Sequence, residues 1–180
     1  KAAKKKKAKG FLGTSVSFSA KFFNLNKGIG TMPHALIGYA GSTLESVRMF
    51  HATFPKEDIV ILPDYFGKEI TDSILVCNEY PSLVKKGKIM VRLDTPSGRY
   101  VEGLDLAKSY NVLEKFAPES ISEYRSEEEL KYLVGPGDSA ASIWFLRSKL
   151  NEEGFDKVKI IASSGFTNNK CKAMSLANTP

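Results

Sequence analysis

Short apolar stretches rich in β-prone residues alternate along the chain with longer segments whose apolar residues recur at helical spacing. Four stretches predict strands, at residues 28–32, 59–62, 89–93 and 158–162. Each runs into a polar cluster and then a helix-like segment, which is the sequence form of a repeated βα unit. The pattern therefore predicts an α/β fold with a parallel sheet.

Helix start and stop patterns follow the predicted strands. Ser42 and Ser126 each precede a glutamate by three residues, which predicts capping boxes. Asp138 is predicted to cap a helix that stops near Gly154, and a last helix is predicted from near Asn168. Three of the predicted helices carry an apolar stripe. The stripes are Leu44, Val47, Phe50 and Phe54 after Ser42, Ile70, Ile74 and Cys77 after the second strand, and Ile143, Leu146 and Leu150 after Asp138.

Polar clusters follow the four predicted strands and begin at His34, Asp64, Asp94 and Ser164. Two intervals of thirty residues, each fitting one βα unit, thus precede an interval of seventy. The wider interval predicts an insertion of roughly 40 residues within residues 98–138. A parallel sheet is either doubly wound or closed into a barrel, and four units would form half of an eight-unit barrel of about 250 residues. In both architectures ligands bind at the carboxyl ends of the strands.

Composition and charge limit the classes of function. The chain has 180 residues, 42% of them hydrophobic, and a formal net charge of +6. Its first nine residues carry six of the 26 basic residues, which leaves 20 basic and 20 acidic residues in the remainder. We therefore expect a basic disordered tail over residues 1–9 and one domain over residues 10–180, and we do not expect nucleic acid as a partner of that domain.

Cysteine usage and hydropathy favour a cytoplasmic protein. Cys77 and Cys171 lie in helix-like segments without a C-x-x-C pattern, which predicts neither disulfides nor a zinc site. No apolar stretch approaches the roughly 20 residues that cross a bilayer, and the lysine-rich start lacks the apolar part of a signal peptide.

His34 stands just after the first predicted strand. A histidine there is typical of a general base, a charge partner or a phosphoryl acceptor, but it is also typical of a hydrogen-bonded structural residue. Asp64, after the second strand, is either a helix cap or a ligand group.

Arg92 and Asp94 lie two positions apart on the third predicted strand, so their side chains point to the same side. They form either an internal ion pair or a substrate site in which Arg92 holds an anionic group and Asp94 accepts from a sugar hydroxyl. Ser164 and Gly165 follow the fourth strand at a helix start, where backbone N–H groups can receive a phosphate. Turn geometry alone would also account for them.

In order along the chain, these segments resemble the nicotinate phosphoribosyltransferase family of the type II phosphoribosyltransferases. The resemblance covers most of residues 10–172 and is carried by GFLGTS at 10–15, GTMPHA at 30–35, VILPDYFG at 60–67, VRLDTPSGR at 91–99 and KIIASSGF at 159–166. It implies a partial (β/α) barrel beside a second domain built from the chain termini.

Three positions depart from the family pattern, with Val16 in place of asparagine, Tyr65 in place of threonine, and Phe166 in place of the last glycine of a Ser-Gly-Gly turn. The third departure predicts a side chain where a phosphate would come closest to open backbone.

The resemblance implies transfer of a phosphoribosyl group from phosphoribosyl pyrophosphate to nicotinate, coupled to ATP hydrolysis, with Mg²⁺ bound to the substrate. It implies that His34 is phosphorylated and that Asp94 is catalytic at the ribose hydroxyls. It further implies a homodimer acting in NAD biosynthesis, with no metal held by the protein. The implied substrate contacts are Thr31, Asp64, Arg92 and Arg99, and the implied phosphate contacts are Ser164 and Gly165.

Two other interpretations stay open from the sequence. In the first, the enzyme has the same fold but its acceptor is nicotinamide or quinolinate instead of nicotinate, although Arg92 favours an acid over an amide. Alternatively, the chain is a non-catalytic remnant that acts as an interaction module, with its lysine-rich tail binding polyanions. The chain is also expected to be a fragment that is weak or inactive alone.

Overall fold

The computed structural model describes residues 17–26, 28 and 30–180. These residues fall into two compact units, within Lys1–Met32 and Pro33–Pro180. The first unit contains a short helix, α1 (Ser17–Ala20), and a 3-10 turn at Lys21–Phe23. The predicted tail over residues 1–9, the segment GFLGTS and Val16 lie outside the described residues.

The strand predicted at residues 28–32 is wrong for the residues that the structure describes. Gly28 and residues 30–32 lie outside any helix or strand. The two glycines offer no side chain to pack on a pleated surface, and Pro33, which follows, has no N–H for a sheet ladder. His34 is consequently the first residue of a helix and does not follow a strand.

Three parallel strands form the sheet of the second unit, namely β1 (Ile59–Ile61), β2 (Ile89–Leu93) and β3 (Lys159–Ala162). Their order is β1-β2-β3, with Ile59 opposite Ile89 and Met90 opposite Lys159. The strands predicted at 59–62, 89–93 and 158–162 are confirmed to within one residue, as is the α/β class. The sheet of the described residues is open and does not close into a barrel.

Helices connect and flank the strands. They are α2 (His34–Ala40), α3 (Thr43–Thr53), α4 (Glu69–Glu79), α5 (Pro81–Lys85), α6 (Leu106–Phe116), α7 (Glu127–Leu133), α8 (Ala140–Glu152) and α9 (Asn168–Leu176), with a further 3-10 turn at Pro118–Ser120. The segment predicted to be an insertion is therefore about half helical. The two free cysteines lie in α4 and α9, as predicted. Within the described part of the chain, no helix is long and apolar enough to cross a membrane.

Two of the three predicted caps are present. The Ser42 side chain accepts from the N–H of Glu45, and Ser126 and Glu129 form a complete capping box. The third prediction is wrong, because Ser139 and not Asp138 caps α8. The carboxylate of Asp138 is bonded instead to the backbone at the ends of two strands.

The core lies beneath one face of the sheet. Burial alternates along β2, so that Val91 and its neighbours at 89 and 93 are fully buried while Met90 and Arg92 are only partly covered. Because side chains alternate across a strand, Arg92 shares the outer face with Asp94, which follows the strand. The strand period therefore holds these two charged groups away from the apolar interior.

Candidate functional site

Polar turns follow all three strands at one edge of the sheet. Asp64 comes after β1, Asp94 and Thr95 come after β2, and Ser163 comes after β3. Parallel strands end on the same side of a sheet, and adjacent strands lie about 5 Å apart. These turns therefore lie next to one another at the carboxyl edge of the sheet.

His34 reaches this edge from the start of α2. Its Nε2 lies 3.0 Å from each carboxylate oxygen of Asp64. The Asp64 side chain is 6% exposed and that of His34 is 41% exposed. A carboxylate at Nε2 favours the tautomer that carries its proton there, which leaves the Nδ1 lone pair as the basic and nucleophilic position. Asp64 is thus the partner of the histidine and not a helix cap.

Two aromatic side chains follow Asp64 and remain about half exposed. The ring of Tyr65 lies 6.3 Å from that of His34 and packs edge-on against Phe66 at 4.9 Å. A Cβ added at Gly38 would lie 2.7 Å from the Tyr65 hydroxyl oxygen, so a side chain there would displace the end of the Tyr65 ring. The departure at Tyr65 therefore places an aromatic ring beside the histidine.

Arg92 and Asp94 form a salt bridge on the outer face of β2, with Nη2 2.6 Å from Oδ2. Ser163 completes the group, because its hydroxyl accepts from Arg92 Nε at 2.9 Å and lies 2.9 Å from Asp94 Oδ1. The side chains of Arg92 and Asp94 are 23% and 18% exposed. The cluster is therefore partly open to a ligand while being internally paired.

Asp138 joins the ends of β2 and β3. Its carboxylate accepts from the N–H of Thr95 at 3.0 Å and, at 3.3 Å, from the N–H of Ser163, which also bonds the carbonyl of Leu93. Burial raises the pKa of Asp138 to about 7, against the opposing effects of Lys170 and of the two backbone donors. This residue fixes the spacing between the two turns that carry the arginine cluster.

Arg99 is a partly exposed residue, with 34% of its side chain accessible to solvent. Its guanidinium pairs with the fully buried Glu69 at 2.5 Å and donates to the carbonyls of Asp64 and Tyr100. Glu69 also accepts from the hydroxyl of Thr95 at 2.9 Å. A buried carboxylate needs such partners. Arg99 thus links the turns after β1 and β2, and its contact with substrate stays a prediction.

The turn after β3 adopts left-handed backbone at two successive residues, with φ of 68° at Ser164 and 64° at Gly165. Ser164 thus carries a side chain at a backbone conformation that favours glycine, whereas Phe166 does not adopt it. That the Phe166 side chain stands where a phosphate would come closest stays a prediction. Lys170 from α9 donates to the carbonyl of Ser164 at 2.8 Å and lies over the Phe166 ring at 4.5 Å. The turn is held by a buried cation.

The structure brings the predicted residues into two groups, one with His34 and Asp64 and one with Arg92 and Asp94. Thr31 belongs to the first unit, where it is half-buried outside any helix or strand. Sequence reasoning missed Ser163, although it adjoins the predicted turn, and it missed Glu69, which nothing in the pattern of α4 distinguishes. In the residues that the structure describes, no cluster of three or more histidine, cysteine or acidic side chains could hold a metal ion.

Comparisons with protein-family models, with curated proteins and with solved structures found no match to this chain.

Proposed function

We propose that this chain is a nicotinate phosphoribosyltransferase, or a part of one, and that its open sheet belongs to a partial (β/α) barrel of the type II kind. The observation that carries the proposal is the contact between His34 Nε2 and both oxygens of the buried Asp64. A phosphoryl-accepting histidine needs one nitrogen held by a carboxylate and the other directed to its substrate. The pairing joins two segments that the sequence resemblance links to this family.

Phosphoryl transfer from ATP follows from that geometry. Nδ1 of His34 attacks the γ-phosphorus, the bond from phosphorus to the bridging oxygen breaks, and ADP leaves with the electron pair. The imidazolium that results keeps its Nε2 proton facing Asp64, whose negative charge stabilises it. Mg²⁺ carried by the substrate neutralises charge on the phosphate oxygens.

The arginine cluster serves the second half of the reaction. The carboxylate of nicotinate fits the planar guanidinium of Arg92, and the ribose hydroxyls donate to Asp94 as positive charge develops at C1. The support is that both side chains are partly exposed on the outer face of β2. Arg99 positions the turns after β1 and β2 through its ion pair with Glu69. The same proposal expects a homodimer in the cytoplasm, acting in NAD biosynthesis.

Labelling with ATP that is radioactive at the γ-phosphate tests the proposal. We expect an acid-labile label on the wild-type chain and none on His34→Ala. Asp64→Asn should slow labelling about 10²-fold or more, because an amide cannot fix the same tautomer or stabilise the imidazolium. The chain has one other histidine, His51, so His51→Gln is the matched control and should label normally. An unlabelled wild-type chain, or label retained by His34→Ala, contradicts the proposal.

A further inference from the structure

The turn that follows β1 holds two aromatic side chains in solvent. Tyr65 and Phe66 occupy its two central positions and are 49% and 45% exposed. The N–H of Gly67 closes the turn by donating to the carbonyl of Asp64 at 3.0 Å, and the backbone of Gly67 is left-handed, with φ of 67°. Arg99 donates to the same carbonyl at 2.8 Å. These bonds fix the backbone of the turn while both rings stay accessible.

Tyr65 lies along the face of α2 that carries His34. The centroid of its ring is 6.3 Å from that of the imidazole, and the two ring planes are inclined by 33°. Its hydroxyl oxygen is 2.7 Å from the position that a Cβ at Gly38 would take. Residues four apart share one face of a helix, so the ring extends from the histidine to the next turn of α2. Phe66 adds a second ring, packed edge-on against Tyr65 at 4.9 Å.

Tyr65, Phe66 and Gly38 form an uncharged surface beside His34, which we call the aromatic platform. Large rings that stay half exposed forgo part of the free energy of burial, and a planar ligand stacked on them recovers it. The carboxylate next to the platform, that of Asp64, faces the histidine. A phosphate or carboxylate on the rings would lose hydration without gaining a charged partner there. The platform therefore suits a neutral planar ring.

We infer that the aromatic platform binds the purine base of the nucleoside triphosphate whose γ-phosphate is transferred to His34. The inference rests on the proposed function, which supplies the triphosphate, while the platform supplies a place for its other end. The phosphates approach Nδ1 of His34, and the base, joined to them through the ribose, stacks on Tyr65 and Phe66. Tyr65 stands where the family pattern has threonine, so the resemblance does not imply this contact.

Stacking on the platform selects the size and planarity of a base but not its edge. Every base offers an aromatic face, and a purine covers more of two neighbouring rings than a pyrimidine does. The ring faces of Tyr65 and Phe66 carry no donor or acceptor that would distinguish the amino group of adenine from the carbonyl of guanine. We therefore expect ATP and GTP to label His34 about equally well, and CTP to label it less well.

Titration calorimetry with the β,γ-imido analogue of ATP, in the presence of Mg²⁺, tests the inference without phosphoryl transfer. Tyr65→Leu and Phe66→Leu keep an apolar side chain but remove the ring, and each should weaken binding about three- to tenfold. Tyr65→Phe keeps the ring and should bind as the wild type does. Tyr124→Leu, at a tyrosine that is 93% exposed on the loop before α7, is the matched control and should also bind normally.

Inorganic tripolyphosphate, titrated in parallel, separates recognition of the base from recognition of the phosphates. Its affinity should be the same in the wild type and in all of these variants, whereas the imido analogue of GTP should follow that of ATP. Affinity for the ATP analogue that is unchanged in Tyr65→Leu and Phe66→Leu overturns the inference. An equal loss of affinity for tripolyphosphate, or a wild type that does not bind the analogue at millimolar concentrations, does so too. A CTP analogue that binds as tightly contradicts the choice of a purine.

The same titration in His34→Ala separates this inference from the proposed function. That variant takes no label, but the ATP analogue should still bind to it and still depend on Tyr65. If the wild type takes label from ATP while Tyr65→Leu leaves binding of the analogue unchanged, only the inference fails. If the analogue binds through the two rings but no label appears, only the transfer to His34 fails.

Discussion

Single residues at the sheet edge depart from what their side chains prefer. Ser164 adopts φ of 68°, in the left-handed region, which costs a residue with a Cβ about 1 to 2 kcal/mol. Such strain persists where surrounding contacts enforce it, and here Lys170 holds the carbonyl of Ser164. The turn is thus fixed in a conformation that its own sequence does not favour.

Ser164→Gly should raise the free energy of unfolding by about 0.5 to 1 kcal/mol, because relief of strain exceeds the extra chain entropy that glycine loses on folding. Urea denaturation measures the change. Ser175→Gly, at an exposed position inside α9, is the control and should lower the same free energy by a similar amount. A Ser164→Gly chain no more stable than the wild type would show that the turn is unstrained.

At the scale of elements, β2 and β3 are joined by more than their ladder. Asp138 sits just before α8 and bonds the backbone at the end of each strand. Burial raises its pKa from 3.8 to about 7, so the folded chain binds a proton there more tightly than the unfolded chain. Its contribution to stability is greatest below about pH 4 and declines as the pH rises towards 7.

Asp138→Asn should remove that decline. The difference in unfolding free energy between the two proteins should change by up to roughly 4 kcal/mol between pH 4 and pH 7, and be constant above pH 8. Asp105→Asn is a useful contrast, because backbone bonding at the start of α6 lowers the pKa of Asp105, so its contribution is lost as the pH falls through that lowered value. Parallel pH curves for wild type and Asp138→Asn would contradict the prediction.

Elements that depend on local pattern are predicted well from the sequence. The apolar runs of β1, β2 and β3 and the serine caps of α3 and α7 all occur where the pattern indicates. Prediction fails where the structure of a residue is determined by a partner that is distant in the sequence. The sequence predicts Asp138 as a cap because no nearby residue indicates that its carboxylate bonds the backbone of Thr95 and Ser163. Likewise, the backbone conformation at Ser164 is held by a contact with α9.

For the candidate site, the sequence indicates which turns carry polar residues but not which side chains meet. The period of two along β2 is enough to predict that Arg92 and Asp94 share a face. The contact between His34 and Asp64 depends on how α2 is placed beside β1, and the ion pair of Arg99 depends on Glu69. Packing contacts of this kind leave no periodic pattern of apolar and polar residues in the sequence.

At the scale of the whole molecule, charge is distributed unevenly along the chain. Six of the 26 basic residues lie in the first nine positions, and the rest of the chain carries 20 charges of each sign. A run of this kind attracts phosphates without sequence preference, with an affinity that falls steeply as salt rises. Any polyanion binding should therefore come from residues 1–9.

Deleting residues 1–9 should abolish salt-sensitive binding to heparin or to single-stranded DNA. Fluorescence anisotropy measures this binding at about 50 to 200 mM salt, the range in which such contacts weaken steeply. Polyanion binding that survives the deletion would show that the source is a surface of the remaining chain.

The strand register also sets an order of events. Ile59 pairs with Ile89 across about 30 residues, whereas Met90 pairs with Lys159 across about 70, so closing the second loop costs more chain entropy, by roughly 0.7 kcal/mol. Pairing over longer separations also forms more slowly. The histidine and its aspartate need only the first pairing, while the arginine cluster needs the second, because Ser163 follows β3. A nascent or partly unfolded chain would thus possess the contact between His34 and Asp64 before it possesses an assembled arginine cluster.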